Sequence, residues 1–230
     1  MNRFFAALLG SLVLAVPVAT TATPAWTEGV HYDRVVPEQH TNVPAGKIEV
    51  LEVFSYGCPA CNGFQPVLEQ LKQSLPPNAQ MAYLPASFNP GEDWPMFQRS
   101  YFAAKALGIA ERTHQAMYDA IWKTGELAIS DPATRKLKNP MPSLEDAARF
   151  YASAAGVKPE AFLATANSFS VNLKMQVADQ QITAMKVDST PSLIVNGKYR
   201  LRMESLRTAN EVIGLVNYLV ARESALMAPE

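Results

Sequence analysis

The stretch FSYGCPACNGF, residues 54–64, contains the only two cysteines of the 230-residue chain. Cys58 and Cys61 are three positions apart, with Pro59 and Ala60 between them. Two cysteines at this spacing form a redox couple, half of a metal site or a small structural disulfide in different proteins. The sequence around the pair has to decide between these three interpretations.

The residues on either side predict a strand before the cysteines and a helix after them. The segment KIEVLEVFSY, residues 47–56, is rich in β-branched and aromatic residues and is bounded by Gly46 and Gly57, which is typical of a buried central strand. Apolar residues then recur at helical spacing over residues 59–75, and this pattern stops at a pair of prolines. The CPAC sequence is therefore predicted at the point where a strand turns into a helix.

A metal site and a purely structural disulfide both fit this sequence poorly. A metal site needs about four ligands, and besides the cysteine pair the chain offers only His31, His40 and His114, none of them at a zinc-finger spacing. We therefore predict no metal. A disulfide that closes so short a loop adds little entropic stabilisation, so redox chemistry is the favoured interpretation.

The predicted helix start gives the two sulfurs different chemistry. Cys58 would face unpaired backbone N–H groups and the positive end of the helix dipole, which both favour the thiolate over the thiol. We expect a lowered pKa and an exposed, reactive sulfur at Cys58. Cys61 lies one turn further and is expected to point into the domain as the buried resolving cysteine. Pro59 suits the first helical turn because it lacks an N–H that would have no helical partner there.

Residues 1–25 have the composition of an export signal. Arg3 precedes an apolar run, which is followed by small residues suited to a signal peptidase, and cleavage is expected after Ala22 or Ala25. An uncleaved membrane anchor is the alternative, but the run is shorter than the roughly 20 residues of a spanning helix and contains Pro17. Outside the cytosol, disulfides form and persist, which agrees with a redox role for the cysteine pair.

Composition and charge narrow the class of protein. With 230 residues, of which 48% are hydrophobic, the chain can bury the core of one domain, or of one domain that carries a sizeable insertion. A formal net charge of −1, without a Lys/Arg-rich block, gives no electrostatic case for nucleic acid as a partner. After the N-terminal run, the sequence contains no segment that is long and apolar enough to span a membrane.

Residues 89–176 differ in character from the rest of the chain. Their apolar residues recur at helical spacing, which predicts helices over residues 96–107, 111–123, 143–155 and 159–167. Ser143 and Asp146 form a capping-box pattern at the start of the third of these helices. We therefore predict an all-helical insertion.

Residues 26–88 and 177–230 are predicted to form the domain that the insertion interrupts. Its elements besides the central strand and first helix are strands at 33–36 and 81–88, a return helix at 171–185, a hairpin at 191–201 and a final helix at 210–225. The hairpin is predicted to turn at Asn196 and Gly197, which both tolerate a positive φ. Strands and helices in this order indicate an α/β domain.

Two blocks of sequence carry a family resemblance. They are EVLEVFSYGCPACNGF, residues 49–64, and, after the helical insertion, VDSTPSLIVNGKYRL, residues 187–201. In this order and context they resemble the DsbA family of bacterial periplasmic thiol:disulfide interchange proteins. The resemblance covers nearly all of the mature chain and implies a thioredoxin-like α/β fold with an inserted all-helical domain. It also implies that Pro191 is a cis-proline beside the active disulfide, and that Thr190 offers backbone hydrogen bonds to an extended substrate peptide.

The resemblance further implies an activity. A substrate thiolate attacks Cys58 and expels Cys61, and a second substrate thiol then releases Cys58 as a thiolate, so that the substrate gains a disulfide. The implied protein is an exported, periplasmic and monomeric dithiol oxidase, whose redox-active disulfide needs no separate cofactor. Its implied partners are reduced, unfolded secreted proteins and a DsbB-like inner-membrane protein that passes electrons to quinone.

The sequence departs from the best-known members of this family at and beneath the cysteines. Ala60 stands where those members have a histidine, which removes a group that helps to hold the thiolate and lowers the expected oxidising strength. Glu52 matches the first acid of a buried acidic and basic set, but Gln65 and Tyr83 stand where a second acid and a lysine would be. Glu52 either accepts the proton of Cys61 or is a strand residue with a local partner.

Two other functions remain open on the sequence alone. The first is a reductase or disulfide isomerase; isomerases of the DsbC type resemble this sequence in fold, but their N-terminal dimerisation domain is missing here. The second is a peptide-binding chaperone or adhesion-related module in which the disulfide is static. Such a module would be reduced slowly by dithiothreitol, and its activity would survive the substitution Cys58→Ser.

Overall fold

A mixed five-stranded sheet lies at the centre of the protein, which this computed structural model describes over residues 26–227. The predicted export signal, residues 1–25, lies outside the described residues. The strands are β1 (Tyr32–Arg34), β2 (Ile48–Phe54), β3 (Ala79–Pro85), β4 (Ser192–Val195) and β5 (Tyr199–Leu201). Their order across the sheet is β1-β5-β4-β2-β3, with β2 and β3 parallel and the other pairs antiparallel.

Helices cover both faces of this sheet. In the described residues they are α1 (Pro59–Ser74), α2 (Trp94–Ala106), α3 (Ala110–Trp122), α4 (Leu144–Ala155), α5 (Pro159–Ala166), α6 (Phe169–Ala184) and α7 (Ala209–Met227). Two short 3₁₀ segments, Pro90–Glu92 and Met203–Ser205, precede α2 and α7. Over residues 26–227, none of the helices combines the length and the apolar character that crossing a membrane requires.

β2 is the central strand that the sequence predicts. It pairs with β3 on one side and β4 on the other, and all seven of its residues are buried. The strand ends at Phe54, and α1 begins at Pro59, so the two cysteines lie at the predicted junction of strand and helix.

The helices of the predicted insertion are confirmed to within a few residues at each end. The capping box at the start of α4 is formed as predicted: the hydroxyl of Ser143 accepts a hydrogen bond from the N–H of Asp146 at 3.2 Å. The carboxylate of Asp146 in turn accepts the N–H of Ser143 at 2.7 Å. These two bonds satisfy N–H groups that have no partner within the helix.

β3 begins and ends earlier than the strand predicted at residues 81–88. Its length is set by its partner, because the first and last residues of β2 pair with Ala79 and Pro85. Ala86 still donates its N–H to the carbonyl of Phe54 at 2.7 Å, and the chain then leaves the sheet for the helical segment. Strand propensity alone cannot predict where β3 begins and ends, because these bounds depend on its pairing with β2.

Two apolar cores lie on opposite faces of the sheet. On one face, Ile48 and Val50 of β2 belong to a cluster with Leu68 of α1 and with residues of α7. On the other face, Leu51 and Val53 belong to a larger cluster that includes residues of α2 to α6. This alternation follows from the two-residue period of a strand.

α6 is continuous across the expected boundary between residues 176 and 177, and it carries the chain back to the sheet. Gln98 of α2, which is 1% exposed, fixes this arrangement. Its side-chain amide donates to the carbonyl of Pro85 at 3.0 Å and to the carboxylate of Asp179 in α6 at 2.8 Å. The helical segment is thus attached to the end of β3.

The hairpin between β4 and β5 turns at the predicted residues. Asn196 and Gly197 have φ values of 52° and 64°, so the predicted turn is confirmed. Gly197 is required for a second reason, since a Cβ there would collide with the carbonyl oxygen of Gln39. Buried Glu223 of α7 accepts hydrogen bonds from the Asn196 amide at 2.6 Å and the Tyr199 hydroxyl at 3.0 Å, which ties the hairpin to the last helix.

Candidate active site

Cys58 is the N-terminal capping residue of α1. Its backbone is extended, with φ −86° and ψ 116°, and its sulfur accepts a hydrogen bond from the backbone N–H of Cys61 at 3.3 Å. Pro59 occupies the first turn of the helix. The end of β2 and the start of α1 therefore hold the Cys58 sulfur at the positive end of the helix dipole.

Both cysteines are free thiols, and both are buried. Cys58 is 4% exposed and Cys61 is 0% exposed, so Cys61 is the inner sulfur, but the expectation of an exposed sulfur at Cys58 is wrong. The residues between them, Pro59 and Ala60, are exposed. Cys58 is covered because a segment from the far end of the chain lies against it.

That covering segment contains Thr190 and Pro191. The peptide bond between them is cis, as the family resemblance implies. The Cys58 thiol donates to the carbonyl oxygen of Thr190 at 3.5 Å. The hydroxyl of Thr190 is buried, and the described residues supply it with no hydrogen-bond partner. This hydroxyl is free to donate to a sulfur that has become negative.

The environment separates the pKa values of the two sulfurs. The pKa of Cys58 is lowered to about 6, chiefly because the Cys61 thiol donates a hydrogen bond to the Cys58 thiolate, with further bonds from Thr190 and from the backbone N–H groups of Cys61 and Ala60. Burial of Cys58 opposes this effect. The pKa of Cys61 is raised, first by burial and then by the thiolate of Cys58. One sulfur is thus a thiolate at neutral pH while the other is a thiol.

Glu52 lies in β2 beneath the two sulfurs. Its side chain is 0% exposed, and neither carboxyl oxygen has a hydrogen-bond partner among the described residues. Burial raises the pKa of this carboxyl well above its usual value. The negative charge of Glu52, when present, helps to raise the pKa of Cys61. The local partner considered from the sequence is not found in the described part of the chain.

The two residues that replace the charged set of other family members also lie close to this site. Gln65 is buried and donates its amide to the carbonyl of Cys61 at 3.2 Å, so it stabilises the first turns of α1. Tyr83 of β3 lies directly opposite Glu52 in the parallel register. Both positions therefore remain in contact with the site, but neither residue is charged at neutral pH.

Three side chains of α3 form hydrogen bonds to Ser55 and Tyr56, just before Gly57 and Cys58, and the sequence reasoning missed them. The ring of His114 is hydrogen-bonded to the hydroxyl of Tyr56 at 3.0 Å, and Trp122 donates its indole N–H to the Tyr56 carbonyl at 2.9 Å. Tyr118 donates its hydroxyl to the carbonyl of Ser55 at 3.5 Å. A spacing of four residues, which places all three on one helix face, is the signal that could have found them.

A fourth contact comes from the start of α2. A Cβ at Gly57 would lie 2.8 Å from the indole nitrogen of Trp94, so only a glycine fits between this ring and Cys58. Trp94 is 8% exposed and donates its indole N–H to the carboxylate of Glu92 at 3.2 Å. The helical segment thus contacts the residue directly before the reactive cysteine.

Fold and site together define a protein disulfide oxidoreductase with a thioredoxin-like fold and an inserted helical domain. The family model described as Thioredoxin matches residues 41–213 of the chain. The chain belongs to the DsbA family within this class. The thiol:disulfide interchange protein DsbA of Pseudomonas aeruginosa is 34% identical over 180 residues, which cover 78% of this chain and 78% of that protein.

Further relatives cover more of the chain. The thiol:disulfide interchange protein DsbA of Azotobacter vinelandii is 32% identical over 222 residues, which cover 94% of this chain and 96% of that protein. Among solved structures, the oxidoreductase DsbA of Xylella fastidiosa superposes with a TM-score of 0.72 at 32% identity, covering 86% of this chain and 97% of that one. The similarity thus includes the helical insertion as well as the thioredoxin-like part.

Proposed function

We propose that this protein is a dithiol oxidase, which donates a Cys58–Cys61 disulfide to reduced proteins. The observation that carries the proposal is the set of hydrogen-bond donors around the Cys58 sulfur, namely the N–H groups at the start of α1, the Cys61 thiol and the Thr190 hydroxyl. A stabilised thiolate favours the reduced protein, and a protein that is stable when reduced gives up its disulfide readily. Within the oxidoreductase class, the proposal therefore specifies the direction of the reaction, which is oxidation of substrate dithiols.

The reaction has two exchange steps. A substrate thiolate attacks the Cys58 sulfur of the oxidised protein; the bond between Cys58 and Cys61 breaks, and Cys61 leaves as a thiolate that takes up a proton. A second substrate thiolate then attacks the substrate sulfur of the mixed disulfide and expels Cys58 as a thiolate. Two electrons pass from the substrate to the protein, and no cofactor other than the disulfide is involved.

Each site residue has a proposed role in this reaction. Cys58 is the attacked sulfur and the stable leaving group, and Cys61 is the resolving sulfur. Glu52 exchanges a proton with Cys61, because it is a buried carboxyl whose charge is coupled to this thiol. Thr190 donates to the Cys58 thiolate and, with Pro191, offers extended backbone to a substrate chain. Pro59 and Ala60 are exposed between the sulfurs and leave room for that chain.

The proposed cellular setting follows from the sequence and the family. The signal-like residues 1–25 support export to the periplasm, where reduced, unfolded secreted proteins are the substrates. A DsbB-like membrane protein that passes electrons to quinone is proposed to restore the Cys58–Cys61 disulfide. The protein is proposed to act as a monomer.

The test is to incubate the purified oxidised protein with a reduced, unfolded substrate and to count the substrate disulfides formed. Formation of disulfides in step with reduction of Cys58 and Cys61 is the expected result. The matched control is Cys58→Ser, which removes the attacked sulfur and leaves Cys61 in place. If substrate oxidation is absent in the wild-type protein, or survives in the control, the proposal is wrong.

Equilibration with glutathione distinguishes an oxidase from a reductase or isomerase. A reduction potential well above the glutathione range is expected for an oxidase whose reduced form is stabilised. A thioredoxin-like potential would favour the reductase or isomerase. The low potential would then be attributed to Ala60, which stands in place of the family histidine.

A further inference from the structure

The buried carboxyl of Glu52 needs a positive charge to act as a base, and the described part of β2 and its neighbouring strands offers none in contact with it. The Glu52 carboxyl is 0% exposed, and no described residue donates a hydrogen bond to it. Such a carboxyl stays protonated at pH values well above the usual pKa of a glutamate. A protonated Glu52 can give a proton to Cys61 but cannot accept one. The return half of the redox cycle requires acceptance, since Cys61 must become a nucleophile again.

Lys72 of α1 carries a positive charge that acts on the Glu52 carboxyl. Its ammonium group lies 5.6 Å from the centre of the Tyr83 ring, over the face of the ring. Tyr83 is the residue directly opposite Glu52 in the parallel pair of β2 and β3. Side chains of paired residues point to the same face of a sheet, so the Tyr83 ring that the ammonium contacts lies on the same face as the Glu52 carboxyl.

The other contact of Lys72 does not account for its position. Its ammonium also bonds the carboxylate of Glu69 at 2.6 Å, but that carboxylate is 56% exposed and the pair is three residues apart on a helix surface. Such pairs contribute little to stability. Lys72 itself is 35% exposed, and with Tyr83 it lines a cavity of about 500 Å³. The ammonium is therefore only partly exposed to solvent, and it lies beside the residue that pairs with Glu52.

The remaining titratable groups that interact with Glu52 cannot replace this cation. They come from the start of α1, from the segment after β2, from β3 and from α2 and α3, and they are Cys58, Cys61, Tyr56, Tyr83, Tyr101 and Tyr118. The tyrosines and Cys61 are neutral at neutral pH, and the Cys58 thiolate is negative. On β4, the residue opposite Glu52 is Leu193, which carries no charge.

We infer that Lys72 is the charge partner of Glu52 and holds this carboxyl in a state that can accept the proton of Cys61. The inference rests on the proposed exchange of a proton between Glu52 and Cys61. In the step concerned, Cys58 is held in a mixed disulfide with the oxidant. The Cys61 S–H bond breaks and its proton passes to a Glu52 carboxylate oxygen; the Cys61 thiolate then attacks the Cys58 sulfur, closes the Cys58–Cys61 disulfide and expels the oxidant's sulfur as a thiolate. Lys72 acts through Glu52 and is a positioning residue. The coulombic attraction of Lys72 indeed lowers the pKa of Glu52, against the larger effect of burial.

The direct test is a pH titration of the Glu52 carboxyl by carbon NMR of protein with labelled glutamate side chains. The oxidised protein is used, because neither sulfur then titrates alongside the carboxyl. The signal of Glu52 is identified by its loss in Glu52→Gln. In Lys72→Gln the titration midpoint is expected to rise by about one pH unit or more, since a cation near a buried carboxylate is lost. Lys72→Arg, which keeps the charge, is expected to restore most of the wild-type value.

The matched control is Lys123→Gln, which removes one positive charge from an ion pair with Asp119 at the end of α3. An unchanged or lowered Glu52 midpoint in Lys72→Gln overturns the inference, and so does an equal rise in Lys123→Gln. Because no substrate protein is present, this result is independent of whether the protein oxidises substrates. Lys72→Met serves as a second variant if Lys72→Gln does not give a wild-type circular dichroism spectrum.

A kinetic readout separates this role from a structural one. Reduced protein is mixed with oxidised glutathione, and the closing of the disulfide after glutathione has reacted with Cys58 is followed. At neutral pH, Lys72→Gln is expected to close about tenfold more slowly, and the deficit is expected to disappear at alkaline pH, where Glu52 ionises without help. A deficit that is the same at every pH contradicts the inference.

Discussion

Replacing Thr190 by valine isolates one of the hydrogen bonds that hold the Cys58 thiolate. Valine keeps the shape of the side chain and removes the buried hydroxyl, which has no other partner among the described residues. A hydrogen bond to a charged group contributes about 1.5–3 kcal/mol. At 1.36 kcal/mol for each pKa unit, this corresponds to a rise of about one to two units. The pKa of Cys58, which is about 6 in the wild-type protein, is therefore expected between about 7 and 8 in the variant.

The assay is a titration of the thiolate by its ultraviolet absorbance in the reduced protein. The thiolate fraction at pH 7 is expected to fall from about nine-tenths to about one half for a rise of one unit. The reduced protein then loses about 1 kcal/mol of stabilisation relative to the oxidised protein. This corresponds to a reduction potential lower by about 20 mV, measured by equilibration with glutathione. Thr190→Ser, which keeps the hydroxyl, is the control and is expected to stay close to wild type. An unchanged midpoint in Thr190→Val would refute the assignment of this bond.

Three further predictions concern the same region. Gly57→Ala is expected to destabilise the protein by about 1–3 kcal/mol in urea denaturation, since its Cβ collides with the indole of Trp94; wild-type stability would contradict this. Ala60→His is expected to lower the pKa of Cys58 further and to raise the reduction potential, because an imidazolium beside the sulfur favours the thiolate; an unchanged thiolate titration would contradict it. The reduced protein is expected to gain stability over Cys58→Ser as the pH rises. The lowered Cys58 pKa makes this contribution fully present above about pH 9 and lost as the pH falls to about 6; a constant difference in urea midpoint would exclude it.

Local patterns in the sequence were sufficient for the strand-to-helix junction and the cap on α1. Cys58 caps the helix and Pro59 begins it because both depend on residues next to each other in the chain. The capping box at Ser143 and the turn at Asn196 are predictable for the same reason. The cis bond before Pro191 required the family resemblance, since the residues around it are otherwise those of an ordinary strand start.

Contacts between distant segments could not be predicted from the sequence. The burial of Cys58 depends on Thr190, which lies 132 positions further along the chain. The roles of Lys72 and His114 depend on the register of β3 and on the packing of α3, neither of which propensity or periodicity contains. Lys72 in particular has the sequence context of any exposed helical lysine. Its relation to Glu52 becomes visible only from its contact with Tyr83, which pairs with Glu52.

The hydrogen bonds from α3 to the segment before the cysteines limit how the protein can be engineered. His114, Tyr118 and Trp122 bond to Ser55 and Tyr56, which belong to the other part of the fold. Excision of the helical segment would remove the hydrogen bond between His114 and the buried hydroxyl of Tyr56. It would also remove the side chains that bond to the backbone just before the cysteines. The insertion is therefore not a detachable module, and a minimal version of this enzyme has to retain α3 or redesign the loop that it supports.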